Sequence, residues 1–240
     1  MCGDSLSLID VNKLMDGQKA EMICTDPPYG VNYIPQERRK GGRRVKQFGP
    51  LIGDQGFDRG GISSVQLLEL IDTGIVKGAV YLWCGTNQIG DIYPWLYKRF
   101  KRRPTILIWA KNGFSILVRD YKSAWECAFY YYYERKFRGG DNQDDLWFVK
   151  RRATSKYVHS TQKPVVLMQK AIINSSDPGD IVLDLFGGSG STMIACENTD
   201  RRCYMMEIDP KYTEIIINRW EALTGLKAIK LEENKFRGGA

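Results

Sequence analysis

The stretch 180–197, DIVLDLFGGSGSTMIACE, decides the fold. It joins an apolar run, a turn with glycines at 187, 188 and 190, and a segment of small and apolar residues. That order reads as a buried strand, a tight turn and a helix. Working outward, short apolar runs alternate with helix-length segments. Strands are predicted at 20–25, 79–84, 105–110, 125–133, 180–186 and 202–208, and helices at 62–76, 87–100, 163–175, 190–199 and 210–223. Strands separated by helices need crossover connections, so the expected class is α/β, a mostly parallel twisted sheet with helices on both faces. The runs 105–110 and 125–133 have no helix between them and are expected to form an antiparallel edge.

The 240 residues are expected to form one domain, 1–240, with no internal repeat. Two segments break the alternation. Residues 31–61, rich in Gly, Arg and Lys, read as a long loop, and residues 134–158 as a polar segment. Hydrophobic residues make up 43% and charged residues 26%, ordinary for a globular protein. No apolar stretch approaches the ~20 residues of a membrane span. The start, MCGDSLSLIDVNKL, lacks the basic and apolar regions of a secretory signal, so a cytoplasmic location is expected. Cysteines at 2, 24, 84, 127, 196 and 203 include no C-x-x-C pair, so neither a metal nor a disulfide framework is expected.

The net charge of +7 is clustered. Arg38, Arg39, Lys40, Arg43, Arg44 and Lys46 place six cations in nine residues, and KRFKRR (98–103) places five in six. A polyanion, most simply nucleic acid, is one reading, and a solvated surface is the other.

The glycine turn at 187–190 is no phosphate loop, because no Gly-Lys-Ser/Thr follows, and its spacing is not G-x-G-x-x-G. The next strand ends at Glu207, where a carboxylate can accept from both hydroxyls of a ribose. Together they indicate a nucleoside without a pyrophosphate, a description that S-adenosylmethionine fits. HSTQKPVVLMQKAI (159–172) opens a helix with Pro164 in its first turn. Its free N–H groups, with Lys163, favour a carboxylate. His159, the only histidine, reads more readily as a structural hydrogen-bonder than as a base.

ICTDPPYGVNY (23–33) sets Asp26, Pro27, Pro28 and Tyr29 just past a strand. An exocyclic aromatic amine offers two N–H donors and a delocalised lone pair. An ionised Asp26 and the Pro27 carbonyl are acceptors that can hold both N–H groups out of the ring plane. Tyr29 can stack on the base, which must first be flipped out of a duplex. The alternative is a proline-rich turn that caps a strand.

With DPPYG at 26–30 ahead of FGGSG at 186–190, the chain resembles the circularly permuted DNA amino-methyltransferases. GVNY, LIGD, IWAKN, HSTQKP and RWEALTG make it most similar to phage and prophage adenine methylases. The resemblance covers nearly the whole chain. It implies a Rossmann-like, S-adenosylmethionine-dependent methyltransferase fold acting on double-stranded DNA, with Asp26, Pro27, Pro28 and Tyr29 at the target adenine. It further implies that Asp4, Asp26, Thr161, Lys163, Asp184, Phe186, Gly187, Gly188, Gly190, Ser191, Thr192, Glu207 and Ile208 line the cofactor site. The cations of 38–46 would contact DNA, and 134–158 would be a short target-recognition segment. Leu185 stands where many relatives have proline. Cytosine-N4 methylation and a non-catalytic DNA-binding subunit are the competing readings, and a homodimer stays open.

Overall fold

The structure is a computed structural model. It describes residues 1–28, 63–111, 120–141, 143–150 and 162–231, together with the backbone of two short strands at 38–40 and 43–45. Its elements in chain order are α1 (Leu8–Met15), β1 (Ala20–Thr25), β2 (Arg38–Lys40), β3 (Arg43–Val45), α2 (Ser64–Ile71), β4 (Val76–Cys84), α3 (Ile89–Phe100), β5 (Thr105–Ala110), β6 (Trp125–Tyr132), β7 (Leu146–Phe148), α4 (Val165–Ser175), β8 (Ile181–Asp184), α5 (Ser191–Glu197), β9 (Arg202–Met205) and α6 (Pro210–Thr224).

Seven strands form one sheet in the order β7-β5-β6-β4-β1-β8-β9. The β1–β4, β1–β8, β8–β9 and β5–β7 pairs are parallel. Among the described strands of this sheet, only β6 runs against its neighbours, β4 and β5. The expected antiparallel pair is therefore present, but its reversed strand lies inside the sheet. The edge expected there is instead β7, a three-residue strand within the segment read as polar. A strand this short is carried by its place beside β5, with Trp147 buried and Leu146 and Phe148 exposed.

Both faces of the sheet are covered, which is why β1 and β4 read as near-continuous apolar runs. On one face α1, α2 and α3 bring Val11, Leu67, Leu68, Ile92 and Leu96 onto Ile23, Val80, Leu82 and Phe129. On the other, α4 and α5 bring Leu167, Met168, Ile172 and Ala195 onto Met22, Tyr81, Trp83 and Val182.

Several boundaries differ from the expectation for local reasons. The helix expected over 62–76 stops at Ile71, because Gly74, at φ 91°, turns the chain into β4. Helix α1 was not anticipated. Its cues are short-range: Ser7 Oγ accepts from the Asp10 N–H at 3.2 Å, and Asp16 closes the helix in the left-handed region. Residues 31–61, read as a loop, contain the β2–β3 hairpin, with Arg39 opposite Arg44.

All parallel strands point the same way. The residues just past β1, β4, β5, β8 and β9, and those that start β6, therefore meet at one end of the sheet. In open α/β sheets that end holds the ligand.

Candidate active site

The glycine turn begins where β8 ends. Asp184 is buried, and its Oδ1 accepts from Thr25 Oγ1 at 2.8 Å and from the Phe186 N–H at 3.1 Å. Burial pushes its carboxyl up to about 7, and Thr192, Phe186 and Thr25 donate against that rise. A side chain on Gly187 would meet the Met205 sulfur at 2.8 Å and Ile216 Cδ1 at 2.9 Å, so helix α6 packs directly on the turn. Gly188 and Gly190 adopt φ of 51° and 79°, the left-handed region that side chains avoid. Ser191 and Thr192 open α5 and are both buried, and Ser191 Oγ donates to the Lys163 carbonyl at 2.8 Å.

Glu207 lies two residues past β9 and closes on this turn. Its Oε2 accepts from the Gly188 N–H at 2.7 Å and its Oε1 from the Asp209 N–H at 3.0 Å. Burial raises its carboxyl against those donors. The chain start pairs with it: the Gly3 N–H donates to the Glu207 carbonyl at 3.0 Å, and the Glu207 N–H to the Met1 carbonyl at 3.1 Å. Asp4 is thereby brought beside residues some two hundred positions away, exposed, with Oδ1 accepting from the Leu6 N–H. Ser5, which the sequence reading passed over, donates to the Leu185 carbonyl and ties this segment to the end of β8. Ile208 stays 45% exposed beside Glu207, an apolar surface at a polar site.

The second half of the site is built on Asp26. The parallel pairing of Met22 with Val182 and Ile23 with Leu183 puts the segment after β1 beside the glycine turn. Pro27 is buried and Pro28 half-buried. Asp26 Oδ2 lies 2.5 Å from Lys163 Nζ, and Lys163 also pairs with Glu126 Oε2 at 3.0 Å. Glu126 Oε1 in turn takes Lys111 Nζ at 2.5 Å, and Lys163 sits over the Trp83 ring at 5.4 Å. Burial opposes charge on Glu126, but Lys163 and Lys111 outweigh it and hold the carboxyl down at about 2.

Lys163, placed by the sequence reading near a cofactor carboxylate, thus has its ammonium on Asp26 and Glu126. Glu126, Lys111 and Trp83 were not anticipated. The available signal was a glutamate inside the apolar run WECAFYYYY, because a charge there needs a partner. Tyr29, Thr161, Lys46 and His159 lie outside the described residues, as do the side chains of Arg38, Arg39, Lys40, Arg43 and Arg44.

Two adjacent parallel strands thus end in a glycine turn and an Asp-Pro-Pro segment, on a sheet whose one reversed strand lies inside. This is a Rossmann-like α/β fold. The chain belongs to the DNA methylase family, which covers amino methylation at both N6 and N4, and residues 98–218 match it. It is similar to the type II methyltransferase M.HpaI of Haemophilus parainfluenzae, 33% identical over 251 residues, covering 92% of this chain and 74% of that protein. M.Cfr9I of Citrobacter freundii is 35% identical over 96 residues, 37% of this chain, and the chain spans only 32% of that relative's length. The solved M1.HpyAVI–SAM complex superposes with a TM-score of 0.64 at 25% identity, covering 91% of this chain and 98% of that one.

The residues present fit the same ligand. A Cβ on Gly188 would meet no atom within 4 Å, so the turn presents bare backbone beside the Glu207 carboxylate. Replacing Glu207 with Ala is expected to weaken S-adenosylmethionine binding roughly 10- to 100-fold, the loss of a charged acceptor for hydroxyl groups. Calorimetry checks it. Unchanged affinity would leave Glu207 as a residue that only orients the turn.

Proposed function

We propose that the protein is an S-adenosylmethionine-dependent DNA methyltransferase that modifies the N6 amine of a flipped adenine. The observation that carries this is the β1–β8 pairing, which sets Asp26 beside the glycine turn. Asp184, Phe186, Gly187, Gly188, Gly190, Ser191, Thr192, Glu207 and Ile208 would hold the cofactor, with Asp4 near its adenine and Thr161 and Lys163 towards its methionine end. When bound, S-adenosylmethionine would supply a methyl group on a sulfonium: the S–C bond would break to leave a neutral sulfide as the N–C bond forms, and the nitrogen would then release one N–H proton to solvent.

The chain's own residues prepare that nitrogen. Asp26 and the Pro27 carbonyl accept the two N–H groups of the amine, which turns its lone pair out of the ring plane. Pro27 and Pro28 hold that carbonyl in place, because proline fixes φ. Tyr29 stacks on the base. Double-stranded DNA is the partner, with Arg38, Arg39, Lys40, Arg43, Arg44 and Lys46 as phosphate contacts that add affinity without choosing sequence. Aspartate before the two prolines favours adenine over cytosine as the target.

The test is to incubate the protein with duplex DNA and methyl-labelled S-adenosylmethionine, then digest the DNA and weigh its nucleosides. N6-methyladenine is expected. N4-methylcytosine would transfer the same mechanism to cytosine, and a bound cofactor without any methylated base would make the chain a non-catalytic subunit.

A further inference from the structure

Four charges of alternating sign cross the ligand end of the sheet, each from a different segment. They are Asp26 after β1, Lys163 ahead of α4, Glu126 at the start of β6 and Lys111 just past β5. Lys163 is the centre of the row and only 5% exposed. Glu126 divides its oxygens, Oε1 to Lys111 and Oε2 to Lys163. A well-packed apolar set of similar volume would be as stable or more so, and buried ion pairs are therefore poor evidence of a stabilising role. Another reason is needed for charges at this place.

We infer that Glu126, itself anchored by Lys111, is a positioning residue that holds the Lys163 ammonium against Asp26 and so fixes the carboxylate that receives the target amine. This rests on reading Asp26 as that acceptor. The stem of a lysine is flexible, and one carboxylate alone leaves its ammonium several rotamers. Glu126 on one side, Asp26 on the other and the Trp83 ring at 5.4 Å leave far fewer. Ser191 Oγ, donating to the Lys163 carbonyl, anchors the other end of the residue to the start of α5. The inferred row thus links the two halves of the site.

The electrostatics give the row a measurable signature. Burial pushes the Lys163 ammonium down, while Asp26 and Glu126 push it up and prevail. Among the described residues, the other titratable groups facing it include Cys84 on β4 and Cys127 on β6, and the Asp26 charge also raises Asp184 at the end of β8. Contact with Cys127 and burial hold the Cys84 thiol up, so that group stays neutral. Without the Glu126 charge, burial of Lys163 is opposed by one close carboxylate, Asp26, where the wild type has two. Its proton is then lost at lower pH, and with it the ion pair that orients Asp26.

Side-chain 13C NMR of lysine-labelled protein reads this directly, with the Lys163 signal assigned by its loss in Lys163→Arg. The titration midpoint of Lys163 should lie above the ordinary lysine value of roughly 10.4 in the wild type. In Glu126→Gln it should fall by about one pH unit or more, the removal of one close opposite charge. Turnover should fall on the order of 10-fold or more as Asp26 loses its orientation, with its alkaline limb moved to lower pH and the KM for S-adenosylmethionine little changed. Glu126→Asp should restore part of both the midpoint and the turnover. Lys111→Met removes a cation that shares Glu126, so it should raise the Lys163 midpoint slightly while lowering turnover by a smaller factor than Glu126→Gln as Glu126 loses its anchor, and it serves if Glu126→Gln fails to fold. An unmoved Lys163 midpoint, or turnover that falls only in step with melting temperature, overturns the inference. A wild type that binds cofactor yet methylates no base overturns the reading of Asp26 instead, and the midpoint still decides whether Glu126 holds Lys163.

Discussion

Replacing Asp26 with Ala is expected to lower methyl transfer about 10²-fold or more, the usual cost of removing a preorganised polar group from a reacting centre. Its fold should survive. Asp26 is only partly buried, at 26% exposure, and Lys163 keeps Glu126 as a partner when Asp26 is lost. Affinity for S-adenosylmethionine should fall far less than turnover, because the glycine turn and Glu207 are held by their own hydrogen bonds. Single-turnover kinetics on duplex DNA beside calorimetry of the cofactor separates the two quantities. Near-normal turnover would reduce the Asp-Pro-Pro segment to a strand cap.

The second large effect concerns stability and lies at the opposite end of the sheet. Gly78 sits in β4 where the register with β1 slips, since Ala20 pairs with Val76 and Met22 with Ala79. A Cβ at Gly78 would run into the carbonyl oxygen of Glu21 on β1. The strand cannot retreat, because the Tyr133 N–H donates to the Gly78 carbonyl and the Glu134 N–H to the Lys77 carbonyl on its other side. Gly78→Ala should therefore cost about 3 kcal/mol or more, lowering Tm by roughly 6–12 °C for a chain of this length. Gly90→Ala in α3 is the control, since its Cβ meets nothing within 4 Å. There the substitution should be neutral or slightly stabilising by helix propensity. Equal melting of the two variants would mean that β1 and β4 can shift apart.

These two residues show different degrees of legibility. Asp26 was visible at once, because two prolines and an aspartate after an apolar run make an unusual local chemistry. Gly78 was not, since a single glycine before an apolar run reads as punctuation, and the strand was expected to start only at 79. Its importance comes from the backbone of another strand.

The same division runs through the molecule. The sequence by itself determined the alternation of strands and helices, the tight glycine turn at 187–190, and the residues that stand just past β1 and β9. Each depends on side-chain period or turn geometry over about ten residues, which neighbouring positions settle among themselves. Only the tertiary structure decided that β1 lies beside β8, where Thr25 Oγ1 accepts from a Leu185 N–H 160 residues away. It also decided that β6 runs reversed inside the sheet, that β7 forms the edge, and that Met1 to Gly3 lie against Glu207. The ion row from Asp26 through Lys163 and Glu126 to Lys111 belongs here too, since four separate segments supply it. The physical reason is that strand order follows from burying both faces of the sheet at once, and a buried charge takes its partner from whichever segment that packing brings near.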